Sequence, residues 1–184
     1  MEIEGFKLTD QNHETFGKTK WGEGITHTAS GRGKNGWIHF YKNPKLAVFF
    51  NHFIDPVLWE CTVDGIIKSN GTKYGCTKLT TNKIIEIPIL TIEQRIKFAI
   101  LCTKEVYKEK AWNQWADNWL DGSDRGADAA AVAAYAKADI VAVASHADAA
   151  YFSATAAYCN SAYLAARTVE CLDLDLASLI ERIS

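Results

Sequence analysis

Residues 83–94 read KIIEIPILTIEQ, and the pattern changes inside them. Lys83–Ile87 is a β-branched run of strand length. Pro88 interrupts it. Thr91-Ile92-Glu93-Gln94 then fits a capping box, in which the threonine hydroxyl accepts from the third helical amide and the glutamine reaches back. All three prolines, and all but two of the twelve glycines, lie before residue 90. The chain therefore reads as two parts, a strand-rich module over 1–90 and a helical part over 91–184.

Working back from Pro88, turn signals recur at Asn43-Pro44, Asp55-Pro56 and Asn70-Gly71. Between them, Trp37–Tyr41 and Leu58–Val63 read as strands. The run LWECTV alternates apolar and polar side chains, as a half-buried strand does. In PKLAVFFNHF, Leu46, Phe49, Phe50 and Phe53 fall at helical spacing with Pro44 near the start, which predicts a short helix. Asn70-Gly71 is a favoured hairpin turn.

Working forward, Ile92, Ile96, Ala99, Ile100, Val106 and Tyr107 mark one apolar helix face. Trp112, Trp115 and Trp119 form a second stripe at i, i+3 and i+7, with Gly122 as its stop. Alanine supplies nineteen of the forty-one residues from Gly126 to Ala166. Its high helix propensity predicts two antiparallel helices, with no Gly or Pro to mark the bend. Tyr135, Tyr151, Phe152, Tyr158 and Tyr163 interrupt the tract, either as core rings or as the lining of a pocket or interface. Asp175 is placed to cap a last helix, LASLIERI. The expected fold is α+β: an N-terminal strand-rich module packed on a C-terminal alanine-rich helical bundle. Alanine faces bury little area, so the helical half is expected to mediate a homo-oligomer.

The 184 residues are 48% hydrophobic and 23% charged, which is ordinary for a folded protein. No apolar run has the length of a membrane helix, and MEIEGFKLTD does not read as a signal peptide. A cytoplasmic protein is expected, with no membrane partner. Residues 1–90 carry eleven Lys+Arg against nine Asp+Glu, a net of +2; residues 91–184 carry nine against thirteen, a net of −4. The first half suits a small anionic ligand, and neither half suits a nucleic-acid polymer. The five cysteines, Cys61, Cys76, Cys102, Cys159 and Cys171, form no CxxC pair and read as reduced, buried thiols. No Gly-x-Ser-x-Gly elbow, HExxH or phosphate-loop motif occurs. No catalytic residue, metal site or cofactor is assigned.

One stretch concentrates binding chemistry. Residues 21–41, WGEGITHTASGRGKNGWIHFY, combine flat rings, polar tips and a cation beside closely spaced glycines. On a strand, Trp37, His39 and Tyr41 share a face, which either packs under another element or stacks a base. Stacking on a base is worth about 1–3 kcal/mol. Arg32 supplies a forked cation, and the glycines expose backbone amides. The alternative is a flexible hairpin tip. The candidate ligand-binding residues are Trp21, His27, Ser30, Arg32, Trp37, His39 and Tyr41. Lys78, Thr80 and Thr81 form a second polar patch that equally reads as a solvated strand edge.

The order Trp21-Gly22-Glu23, Gly36-Trp37-Ile38-His39, Leu58-Trp59-Glu60 and Leu79-Thr80-Thr81 resembles a family of bacteriophage and prophage accessory proteins. The likeness continues through Glu93–Phe98, Ile100-Leu101-Cys102, Trp115-Ala116, Trp119-Leu120 and Gly122–Arg125, then into the alanine-rich tail. The helical part is also similar to small alanine-rich immunity-protein domains. The resemblance implies a phage counter-defence protein in the host cytoplasm. It would sequester a nucleotide-type immune signal, a cyclic nucleotide or an ADP-ribose derivative, without cleaving it. The alternatives are an immunity-like inhibitor that binds a protein through its helical surface, and an enzyme acting on a nucleotide signal.

Overall fold

The computed structural model describes residues 2–33, 35–69, 73–106, 108, 110–123 and 176–183. Contacts divide the chain into two units, Met1–Ile89 and Leu90–Ser184. In chain order the first contains β1 (Ile3–Thr9), the short pair β2 (Glu14–Thr15) and β3 (Thr19–Lys20), β4 (Thr26–Thr28), β5 (Ile38–Phe40), helix α1 (Pro44–Phe49), and the long strands β6 (Val57–Ser69) and β7 (Tyr74–Ile85).

The long hairpin of β6 and β7 organises this unit. β1 pairs antiparallel with β6, while β4 and β5 pair in turn along the other edge of β7. The register of β6 on β7 slips between Glu60 and Cys61 and between Asp64 and Ile67. Such slips bend a strand. At the second one Gly65 adopts a φ of 78°, a value that suits glycine. The bend brings the two edges together: Phe6 and Tyr41 exchange backbone hydrogen bonds of 2.7 and 2.8 Å. The sheet thus closes on itself at one point. A Cβ on Gly5 would sit 2.6 Å from the Phe40 ring, so the closure needs a residue without one.

Closure gives the sheet an inner face. Trp21, Phe40, Trp59, Cys61, Val63, Cys76 and Leu79 form one buried cluster there. Leu58 points the other way and packs with Leu8 and Ala47 of α1. Helix α1 begins where Pro44 suggests, and the Asn43 side chain accepts from the Lys45 amide at 2.9 Å. The LWECTV run lies within β6, a strand of thirteen residues whose burial alternates from Trp59 to Asp64. Of Lys83–Ile87, only Lys83–Ile85 belongs to a strand, as the end of β7. Asn70 and Gly71 lie outside the described residues, and Ser69 pairs with Tyr74 beside them.

The second unit contains α2 (Ile92–Val106), α3 (Lys110–Asp121) and α4 (Leu176–Glu181). Helix α2 opens with both bonds of the capping box: the Gln94 amide donates to Thr91 Oγ1 at 3.1 Å and the Thr91 amide to Gln94 Oε1 at 3.0 Å. Trp112 and Ala116 are buried with Ile100, and Trp115, Trp119 and Leu120 pack against them half-buried. Gly122 ends α3 with a φ of 82°.

The expected α+β arrangement, a strand-rich module packed on an alanine-rich helical bundle, is overturned. The described structure is a strand-rich sheet unit with a few short helices, and no helical bundle occurs among the described residues. Gly126–Ala166, its aromatic interruptions and Asp175 lie outside them. That expectation rested on helix propensity, a weak prior that says nothing about packing partners. Large side chains supply most of the buried surface of the described helices: Phe98, Ile100, Leu101 and Trp112 on α2 and α3, and Leu176, Leu179 and Ile180 on α4 are all buried.

Candidate functional site

A cavity of about 540 Å³, within the range that holds a nucleotide-sized ligand, opens beside β5 and takes lining from both faces of that strand, Ile38 from the inner and His39 from the outer. It lies entirely within the first unit. Its floor is a lysine. In the β1–β6 register Lys7 stands opposite Trp59, as Gly5 stands opposite Cys61 and Ile3 opposite Val63. Paired residues share a face, so the Lys7 side chain enters the closed sheet. It is 7% exposed.

There the ammonium donates to the backbone carbonyl of His39 at 2.9 Å and lies 4.4 Å from the centre of the Trp21 ring. Carbonyl and ring each stabilise a cation only in part. Among the described residues no carboxylate forms an ion pair with it. Burial pushes the amine down to about 8, against opposing influence from Cys61 and Cys76, with Lys73 adding repulsion. Both thiols move the other way, chiefly through burial: Cys61 to about 12 and Cys76 to about 11. They stay protonated and poorly nucleophilic near neutrality.

Aromatic rings make the walls. Trp21 is buried, and its indole N–H donates to Thr15 Oγ1 at 2.9 Å. His27 meets it edge-on at 4.5 Å, with Nε2 2.8 Å from the Lys20 carbonyl oxygen. Trp37 lies over Gly75, where a Cβ would come within 3.1 Å of Trp37 Cβ. Tyr41 stacks parallel to Phe50, with centroids 6.1 Å apart. Phe16 stands 98% exposed on the rim, on a turn whose Gly17 and Lys18 both have positive φ. His39 also lies at the rim and keeps solvent contact. Partial burial of its ring, then the charges of Lys73 and Lys7, push the imidazole down to about 4. It is neutral at physiological pH, able to donate through one nitrogen and accept through the other.

The structure therefore gathers five of the seven candidate residues, Trp21, His27, Trp37, His39 and Tyr41, around one cavity. Ser30 and Arg32 are not among its lining residues; both are exposed on the loop that joins β4 to β5. That loop is tied to itself. The Gly31 amide donates to the Gly36 carbonyl at 2.8 Å, and the Arg32 amide to Ser30 Oγ at 3.3 Å. Lys78 and Thr80 face β4 and Asp64 on the outer surface of the sheet, while Thr81 is buried and donates to the Gly22 carbonyl. Lys7 was the residue the pattern missed. In Gly5-Phe6-Lys7-Leu8, alternation points the two apolar side chains inward and the lysine outward. The only available signal was Gly5 two residues earlier, on the same face.

No family model matches the chain, and no curated protein or solved structure matches it. Geometry alone defines what stands here: a small curled sheet whose open end holds an aromatic cavity with a buried amine at its floor.

Proposed function

We propose that the first unit binds a small nucleotide-type ligand in this cavity and holds it without cleaving it. One observation carries the reading: flat rings and two lysines, Lys7 and Lys73, line the same cavity, with no carboxylate among its described lining residues. A base stacks on such rings, and an anion offsets the ammonium charge. The neutral imidazole of His39 and the hydroxyl of Tyr41 suit a ribose. Neither Cys61 nor Cys76 offers a thiolate nucleophile near neutrality, and recovery of the ligand unchanged tests whether any other group cleaves it. Taken with the resemblance to phage accessory proteins, this fits a counter-defence protein that sequesters a nucleotide immune signal in the host cytoplasm. The experiment is incubation with cyclic nucleotides, ADP-ribose derivatives and mononucleotides, read by thermal shift and by chromatography after heat release. A ligand that raises the melting temperature and is recovered unchanged supports the proposal. An altered product makes the protein an enzyme, and no shift with any member of the panel removes the nucleotide reading.

A further inference from the structure

We infer that the ammonium of Lys7, seated at the cavity floor between the His39 carbonyl and the face of Trp21, is the anchoring charge for a phosphate group carried by the ligand. The inference rests on the cavity being a ligand site, and it moves the anion contact from the glycine-rich loop to the floor.

A buried charge is costly unless something nearby compensates it. Lys7 is compensated by one carbonyl and one ring face. A neutral side chain of similar shape would pack against Trp59 and Cys61 without that cost. A lysine at this position is explained when a ligand completes its coordination. Phosphate fits because it presents several strong acceptors to an ammonium with three donors. Burial of the ammonium places the contact in surroundings less polar than water, which strengthens it.

The charged and titratable groups around Lys7 come from every neighbouring element. They are Cys61 on β6, Cys76 on β7, His39 on β5, His27 on β4, His13 against Trp59, and Lys73 in the connection between β6 and β7. None of them supplies a negative charge near neutrality: both thiols stay protonated, the histidines carry none, and Lys73 is a second cation. Without ligand the amine sits near 8, and a bound phosphate raises it. Binding therefore takes up a proton once the pH exceeds about 8, and affinity falls as the pH rises further.

The test uses the full chain, with adenosine 5′-monophosphate, adenosine and pyrophosphate as probes. Affinity is measured by calorimetry from pH 7 to 10. The Lys7 side-chain resonance, assigned through Lys7→Met, is followed in isotope-labelled protein. We expect the monophosphate to bind about 10- to 100-fold more tightly than adenosine, the scale of hydrogen bonds to a charged group. Lys7→Met should abolish that preference and the loss of affinity above pH 8. Arg32→Ala, outside the cavity lining, should keep both. If Lys7→Met binds the monophosphate as the parent does, the anchor assignment is wrong while the nucleotide site stands. If pyrophosphate shifts the Lys7 resonance but no nucleotide or nucleoside binds, the anchor stands and the nucleotide reading falls. If no probe binds and the resonance never moves, both are overturned.

Discussion

Lys7 and Arg32 are two cations of the same unit in opposite circumstances. Lys7 is held on the floor by strand register, against the Trp21 ring and almost wholly buried. Arg32 stands exposed on a loop held by its own short-range bonds. A cation in solvent is screened and contributes little. A buried one without a carboxylate costs stability until something binds it. The difference teaches where to look for the ligand. Residue type made Arg32 the natural candidate, whereas burial makes Lys7 the better one.

The largest effect should come from dismantling the floor. Phe40 is fully buried, lies against Gly5 and adjoins the point where the sheet closes. Phe40→Ala should lower stability by about 3–5 kcal/mol, measured by urea unfolding, and weaken any ligand binding with it. Stability close to that of the parent would mean that the closure is not held from inside.

The second effect sharpens the contrast through pH. The folded pKa of Lys7, about 8, lies below its ordinary value of 10.5. Between these values the unfolded chain binds more protons than the folded one, so stability rises with pH. The penalty is fully present below about 8 and disappears as the pH approaches 10.5. The whole shift is worth about 3 kcal/mol. Without ligand, the parent should therefore gain on Lys7→Met between pH 8 and 10 when their melting temperatures are compared. Parallel curves would show that the amine is hydrated and not confined.

These contrasts also show what the sequence could and could not reveal. The capping box of Thr91 and Gln94 and the helix start at Pro44 were legible because each is settled within four residues. The alternation from Trp59 to Val63 was legible because Trp59, Cys61 and Val63 share the inner face while Glu60 and Thr62 stay half-buried on the other. Strand β1 was not. Both of its faces are covered, Leu8 against α1 and Lys7 inside the sheet, so its pattern reports neither. The cavity was half legible. Trp21, Trp37, His39 and Tyr41 lie close together in the chain, while Lys7 and Phe50 join them only through pairing and closure. The expectation of a helical bundle rested on the propensity of an alanine-rich tract outside the described residues, and propensity carries no information about packing partners.

The third effect tests the loop as a structure. A Cβ on Gly36 would fall 2.0 Å from the Arg32 carbonyl oxygen. That contact is with backbone, so Gly36→Ala must open the turn. Opening it should cost about 1–3 kcal/mol and shift the amide resonances of residues 29–37, with those around Lys7 unmoved. If the floor resonances move as well, loop and floor are one mechanical unit and the contrast between them dissolves.

The smallest effect is the sharpest test of the comparison. Arg32 is exposed, lies outside the cavity lining and forms no ion pair among the described residues. Arg32→Ala should change stability by less than about 0.5 kcal/mol. It should leave nucleotide affinity within about twofold, the size of a screened charge at a distance, and that small loss should vanish at high salt. Lys7→Met should keep most of its effect there, because a desolvated contact is screened far less. A tenfold loss from Arg32→Ala that persists in high salt would show that the loop folds over the ligand and that its guanidinium reaches the anion directly. The anion site would then belong to the glycine-rich stretch and not to the floor.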